Sequence, residues 1–134
     1  MVSRAIARYI RISTRKTGKV LDLIRGLSVP KAEIVLDTIN KRAAFHIKQL
    51  LRSALDSAEK RFKLSAADLF ISMAKADKGP MLKRFRAASM GRATMIKHRT
   101  THITLELDKI KKPENKTVEK EVKKKVKRKT TVKK

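Results

Sequence analysis

Cysteine is absent from this chain of 134 residues, which excludes a disulfide scaffold and any zinc site built on thiolates. That suits a reducing compartment. Aromatic residues are scarce, four Phe and one Tyr, so the dense stacking platforms of single-strand nucleic-acid binders are missing. Glycine is sparse too, and Gly79 and Gly91 stand too far apart to cradle a phosphate. There is no P-loop, no dinucleotide-binding fingerprint and no HExxH, so a nucleotide or metal cofactor is not expected. No apolar run approaches the roughly 20 residues that span a bilayer. Acid is what the chain has least of for its size: 12 Asp and Glu stand against 36 Lys and Arg, a formal net charge of +24 with pI near 11.0. So one-sided a balance implies a polyanionic partner, nucleic acid ahead of a membrane surface.

The charge is spread along the chain. Residues 109–134 carry 13 Lys and Arg against three Glu, net +10, which leaves +14 on residues 1–108. Removing the lysine-rich end would therefore not neutralise the rest. We read two regions: a domain over 1–108 and a basic extension over 109–134. In the extension Val118, Val122 and Val126 recur at four-residue steps, so a helix could form on an anionic surface. Alone, its apolar area is too small to offset the entropy of ordering. The Arg-rich start, with no acid before Asp22, superficially suggests a transit peptide. It runs into patterned sequence without a break in composition, and we read it as mature protein.

Taken in order, residues 5–12 are short, β-branched and partly aromatic and suit a strand, with Arg4, Arg8 and Arg11 as its polar complement. Ser13 or Thr14 can cap a helix running to Arg25, with Val20, Leu23, Ile24 and Leu27 at core spacing and Gly26 as a left-handed stop. A second helix opens at Ser28-Val29-Pro30 and would bury Ala32, Val35, Leu36 and Ile39. Asn40 would cap the longest helix, about 41–62, whose stripe of Ala44, Ile47, Leu51, Ala54, Leu55, Ala58 and Phe62 repeats at three- and four-residue steps. Lys48 and Arg52 fall on its wet face. After a turn at 65–68, a strand over 69–76 follows. The expected architecture is α+β, with three helices packed on a small antiparallel sheet.

The most informative stretch runs from Asp77 to Leu107. It holds Lys78, Lys83, Arg84, Arg86, Arg92, Lys97 and Arg99, with no carboxylate between Asp77 and Glu106. Alternating Leu69, Ile71 and Met73 lead in, and Ile103, Leu105 and Leu107 lead out. Between them, Met81, Leu82, Phe85, Met90, Met95 and Ile96 are interleaved with cations and form no continuous face. The spacing predicts a protruding hairpin over about 77–103, folding back near Ala88, with Gly91 supplying a positive φ. Each arm would reach roughly 35 Å at strand rise. Unpaired cations at this density cannot be buried in the protein's own core, and a lone two-stranded ribbon is marginal in water. An enclosing nucleic acid accounts for both. A solvated loop is the plainer alternative.

The three histidines, His46, His98 and His102, invite a metal reading. His98 and His102 would share a strand face, but no third ligand is patterned with them, so RNA contact or a polar strand face is preferred. Met90 and Met95 could form an adaptable binding stripe or simply fill gaps. No nucleophile–base pair can be argued, and no enzyme is expected. Structured RNA, read through phosphates, 2′-hydroxyls and shape, suits the composition better than single strands.

The segments ARYIRIS, KVLDLIRG, NKRAA, Ser53 to Glu59, GPMLKR, GRA and RTTHITLEL, spaced as they are over about residues 5–107, resemble the ribosomal protein L twenty-two family of the large subunit. The resemblance implies a structural, non-catalytic protein of a bacterial or organellar ribosome. Its partners would be 23S-type rRNA, neighbouring large-subunit proteins and the nascent polypeptide, with no membrane contact and no homo-oligomer. It also implies that the hairpin reaches the wall of the peptide exit tunnel. Lys83 and Arg84 match the family's basic pair after Gly-Pro, Arg92 matches the cation after the tip glycine, and Arg99-Thr100 with His102-Ile103 match the return strand. Expected rRNA contacts are Arg4, Arg8, Arg11, Arg15, Lys16, Lys78, Lys83, Arg84, Arg86, Arg92, Lys97, His98, Arg99 and His102. The tunnel-facing tip would be Phe85 to Arg92, where Ala87-Ala88-Ser89-Met90-Gly91-Arg92 departs from the family's Pro-Arg-Ala-basic-Gly-Arg. The rival reading is a DNA-binding architectural or nucleoid protein, which charge alone would equally allow.

Overall fold

A computed structural model describes residues 1–110, and the helical or disordered extension expected beyond them lies outside the described residues. The order is β1 (Ser3–Ile10), α1 (Thr14–Ile24), α2 (Val29–Thr38), α3 (Arg42–Phe62), β2 (Leu69–Lys78), β3 (Leu82–Ala87), β4 (Ala93–His98) and β5 (Thr101–Lys109). Strands β1, β5 and β2 form an antiparallel sheet in that order, so the last strand is its centre. Alternation explains why: Ile103, Leu105 and Leu107 of β5 are fully buried on one face. Ala5 of β1 and Leu69, Ile71 and Ala74 of β2 continue that face, and α1 and α3 lie against it. The α+β expectation holds.

The long helix buries its stripe much as its spacing dictates, with Ala44, Ile47, Leu51, Ala54, Leu55 and Ala58 in the core. Small Ala54 lets β1 approach, and the buried Ser3 hydroxyl donates to the Ala54 carbonyl at 2.7 Å. Two assigned core residues are not there. Phe62 is 55% exposed, because it sits in the last turn, just before Lys63 ends the helix in a left-handed conformation. Leu23 is 56% exposed, since the buried face of α1 is Thr17, Val20, Leu21 and Ile24. Thr17 tolerates burial because its hydroxyl donates to the Ser13 carbonyl at 3.2 Å. Gly26 does take a positive φ of 79°, and the loop it opens pairs with β2 through Gly26 N to Ile71 O and Ile71 N to Leu27 O, both 3.0 Å. That loop covers an edge of the sheet.

The hairpin departs from a single continuous ribbon. Strands β3 and β4 form a separate two-stranded sheet, set off by Gly79, Pro80 and Met81 on the way out and by Arg99 and Thr100 on the return. Three residues opposing two produce a register step there. Gly79 N donates to Thr100 O at 3.0 Å, and the Thr100 hydroxyl donates to Pro80 O at 2.6 Å, clamping the joint. His98 ends β4 before the joint and His102 lies in β5 beyond it, so the two do not share a strand face. The reversal centres on Met90, not Ala88: Ala87 pairs with Ala93, and Ala88 N donates to Arg92 O at 2.8 Å. Met90 and Gly91 both take positive φ, 55° and 66°.

Candidate nucleic-acid interface

Where the joint meets the helices, a groove of about 1010 Å³ opens between the hairpin base, the start of α1 and the α2–α3 connection. Arg11 precedes α1, and Lys16 and Lys19 lie on successive turns of it. Lys41 and Arg42 come from the start of α3, and Lys97, His98 and Arg99 from the hairpin base. All eight are exposed, and among the described residues no Asp or Glu lines the groove. Its apolar floor includes Ile12, Val20 and Ala43, which core packing holds in place.

Two helix starts border this groove, and both lack the usual neutralisation. Ser13 and Lys41 occupy the N-cap positions of α1 and α3, neither side chain caps, and neither first turn contains an acid. Lys41 takes the position expected for Asn40. The first N–H groups of each helix and the positive end of each dipole are thereby left for an external acceptor, in addition to the seven Lys and Arg. A backbone of regularly spaced phosphates matches that arrangement.

The acids are elsewhere, and they explain which expected contacts are compromised. On the outer face of the three-stranded sheet Arg4 lies 3.5 Å from Glu106, its cross-strand partner, and Lys75 lies 3.2 Å from Asp77. The Met1 amino group lies 2.5 Å from Asp108, and its charge-assisted hydrogen bond holds that carboxyl below its usual range, with burial opposing. Arg4 is thus partly neutralised within the protein. Asp37 likewise engages Lys48 across α2 and α3, so Lys48 is less free than its helix face implied.

The remaining expected residues divide by place. Arg8, Arg15 and Lys78 are exposed outside the groove, while Arg11, Lys16, Lys97, His98 and Arg99 are gathered into it. His102 is half-buried: its ring meets Tyr9 edge-on at 4.7 Å, and its Nδ1 accepts the Tyr9 backbone N–H at 3.0 Å. It therefore helps hold Tyr9 at φ 59° and supports the joint, rather than offering that nitrogen outward. Lys83, Arg84, Arg86 and Arg92 stand on the exposed ribbon with the tip residues. The pairing gives that ribbon two distinct faces. Leu82, Arg84, Arg86, Thr94, Ile96 and His98 share one, and Lys83, Phe85, Ala87, Ala93, Met95 and Lys97 share the other. The register therefore sets Leu82 and Ile96 on one face and Phe85 and Met95 on the other, which their order along the chain conceals. Lys19, Lys41 and Arg42 are not among the contacts expected from the sequence. An acid-free, basic first turn is the signal that could find the last two.

An α+β domain whose basic groove continues into an exposed basic ribbon has the surface of a structural protein complementary to a polyanion. No helix among the described residues is long and apolar enough to cross a membrane. The family model of ribosomal protein L22p/L17e matches residues 5–108, and the chain belongs to that family. It is 47% identical over 104 residues to the large ribosomal subunit protein uL22 of Rubrobacter xylanophilus, covering 78% of this chain and 82% of that one. The corresponding protein of Halothermothrix orenii is 43% identical over 105 residues, covering 78% and 93%. The uL22c protein of Porphyra purpurea is 48% identical over 103, covering 77% and 89%. Family membership makes this a structural protein of the large ribosomal subunit, with a part in translation.

Proposed function

We propose that the chain binds large-subunit rRNA by seating phosphates in the groove between α1, α3 and the hairpin base, and that the ribbon extends this hold into the wall of the peptide exit tunnel. The observation that carries the reading is the acid-free groove lined from three separate elements. A docked RNA backbone neutralises cations that otherwise repel one another, and it supplies acceptors to two uncapped helix starts. The ribbon suits a wall position because β3 and β4 are exposed and pair with each other rather than with the domain. The family relation supports large-subunit rRNA as that RNA, and no catalytic role is assigned. Rim contacts to neighbouring subunit proteins and to the nascent chain follow from that position.

Co-sedimentation tests this directly. The wild-type chain should travel with the large subunit at moderate salt and bind its rRNA in preference to duplex DNA. Lys16→Gln, Lys41→Gln and Arg99→Gln together should lower rRNA affinity by at least tenfold while leaving circular dichroism unchanged, since all three side chains are exposed. Unaltered affinity in the triple variant would show that the groove is not the phosphate seat.

A further inference from the structure

The ribbon face that carries no arginine combines two features that are unfavourable in isolation. Lys83 stands directly opposite Lys97, and the next pair along the same face is Phe85 opposite Met95. Directly opposed side chains lie roughly 5 Å apart at Cβ, so the two ammonium groups repel. Among the described residues no ion pair includes either lysine, and no carboxylate lies on the hairpin between Asp77 and Glu106. Beside them Phe85 is 68% exposed and Met95 45%. Further toward the tip, Ala87 opposite Ala93 leaves a shallow step next to the Phe85 ring, open to a flat group.

We infer that this face is a nucleotide subsite, in which an unpaired base stacks on Phe85 and Met95 while its backbone phosphate lies between Lys83 and Lys97. The inference rests on the rRNA reading and adds to it what kind of RNA feature the ribbon takes: a base turned out of its helix, not a duplex backbone alone. The chemistry fits one ligand class. Successive pairs on one face are about 7 Å apart along the strands, so a phosphate held at the first pair leaves the attached base beside the second. Stacking covers the exposed ring, and the phosphate relieves the lysine–lysine repulsion. An apolar polypeptide would cover Phe85 but leave the two ammonium groups opposed. The other face, with Arg84 and Arg86 and neither Phe nor Tyr, is left to phosphates.

The test uses the full chain and its own large-subunit rRNA. With Phe85→p-benzoylphenylalanine in reconstituted large subunits, illumination should yield an adduct at one discrete nucleotide. In the binary complex Phe85→Leu, which keeps bulk and loses the aromatic ring, should bind about tenfold more weakly, within the range of base–aromatic stacking. Phe85→Trp should restore affinity. Lys83→Gln with Lys97→Gln should lower the salt slope by about one phosphate's worth, roughly 0.7 to 0.9. Binding of Phe85→Leu equal to wild type, or an adduct only to polypeptide, would overturn the subsite while wild-type binding upholds the broader rRNA reading. If the wild-type chain itself failed to bind the rRNA, both would fall, and the wild-type arm reports that separately.

Discussion

Gly79 shows how much can depend on a missing methyl group. Its backbone passes so close to Thr100 that a Cβ would overlap the Thr100 hydroxyl and come within 3.1 Å of the His102 ring. The hydroxyl cannot retreat without giving up its bond to Pro80 O, and His102 is held by Tyr9. Gly79→Ala should therefore destabilise the domain by about 1–3 kcal/mol, the usual range for overpacking. A double-mutant cycle with Thr100→Ala should recover at least about 0.5 kcal/mol, because the second change removes the obstructing atom. Thermal melts of the four proteins measure it, and strict additivity would refute the steric account. Gly18 is the opposite case. It lies within α1, and a methyl group added there would meet nothing within 4 Å, so Gly18→Ala should stabilise by about 0.5–1 kcal/mol. In the sequence, Gly79-Pro80 is legible as punctuation. Its actual constraint is not, because the obstructing threonine is 20 residues beyond the proline and only the hairpin register brings them together.

At the scale of elements, periodicity is a good guide wherever a stripe faces the sheet and a poor one at helix ends. The α3 stripe is readable because six apolar residues at helical spacing have only one face to share. Phe62 breaks the pattern since a stripe says nothing about where the sheet beneath it stops, and Thr17 escapes a hydrophobic count because a hydroxyl bonded within its own helix packs like an apolar group. Leu51 is fully buried and should not accept charge: Leu51→Asp is expected to abolish the cooperative melt, whereas exposed Arg52→Ala should shift stability by no more than about 0.5 kcal/mol. The hairpin is legible as a protrusion, but its division into two sheets is not. A short spacer with one residue more on one arm than on the other carries no hydrophobic signature. That division makes the distal ribbon separable. Replacing residues 84–96 with Asn-Gly would close Lys83 and Lys97 with a two-residue turn. The shortened protein should keep its helical signal and melt within a few degrees of wild type. It should still enter large subunits, with the change confined to the place proposed for the ribbon in the tunnel wall. Failure to incorporate would make the distal ribbon an assembly anchor.

On the scale of the whole molecule, charge acts in opposite directions on folding and on binding. A formal net charge of +24, with only 12 acids, makes the free protein self-repelling. Several acids are already occupied in pairs with Arg4, Arg25, Lys48, Lys75 and the amino terminus, so little relief remains for the groove. Monovalent salt screens that repulsion over a Debye length of about 10 Å at 0.1 M, and it competes for the same cations when RNA is present. Raising salt should therefore increase the melting temperature of the isolated protein while steeply lowering its affinity for rRNA. The binding slope distinguishes a shaped site from bulk charge. Each groove cation that touches a phosphate should contribute about 0.7 to 0.9 to the slope, so removing Lys16, Lys41 and Arg99 as glutamines should reduce it by roughly 2 to 3. Arg4→Gln removes the same unit of formal charge, but from a position already paired with Glu106 at 3.5 Å. Its slope should match wild type within error, and its melting temperature should fall slightly as the pair is lost. Titrations of rRNA binding across a salt series, run on the four single variants and the triple, provide the comparison. If Arg4→Gln lowered the slope as much as any groove substitution, affinity would track net charge alone and the groove geometry would have no part in it.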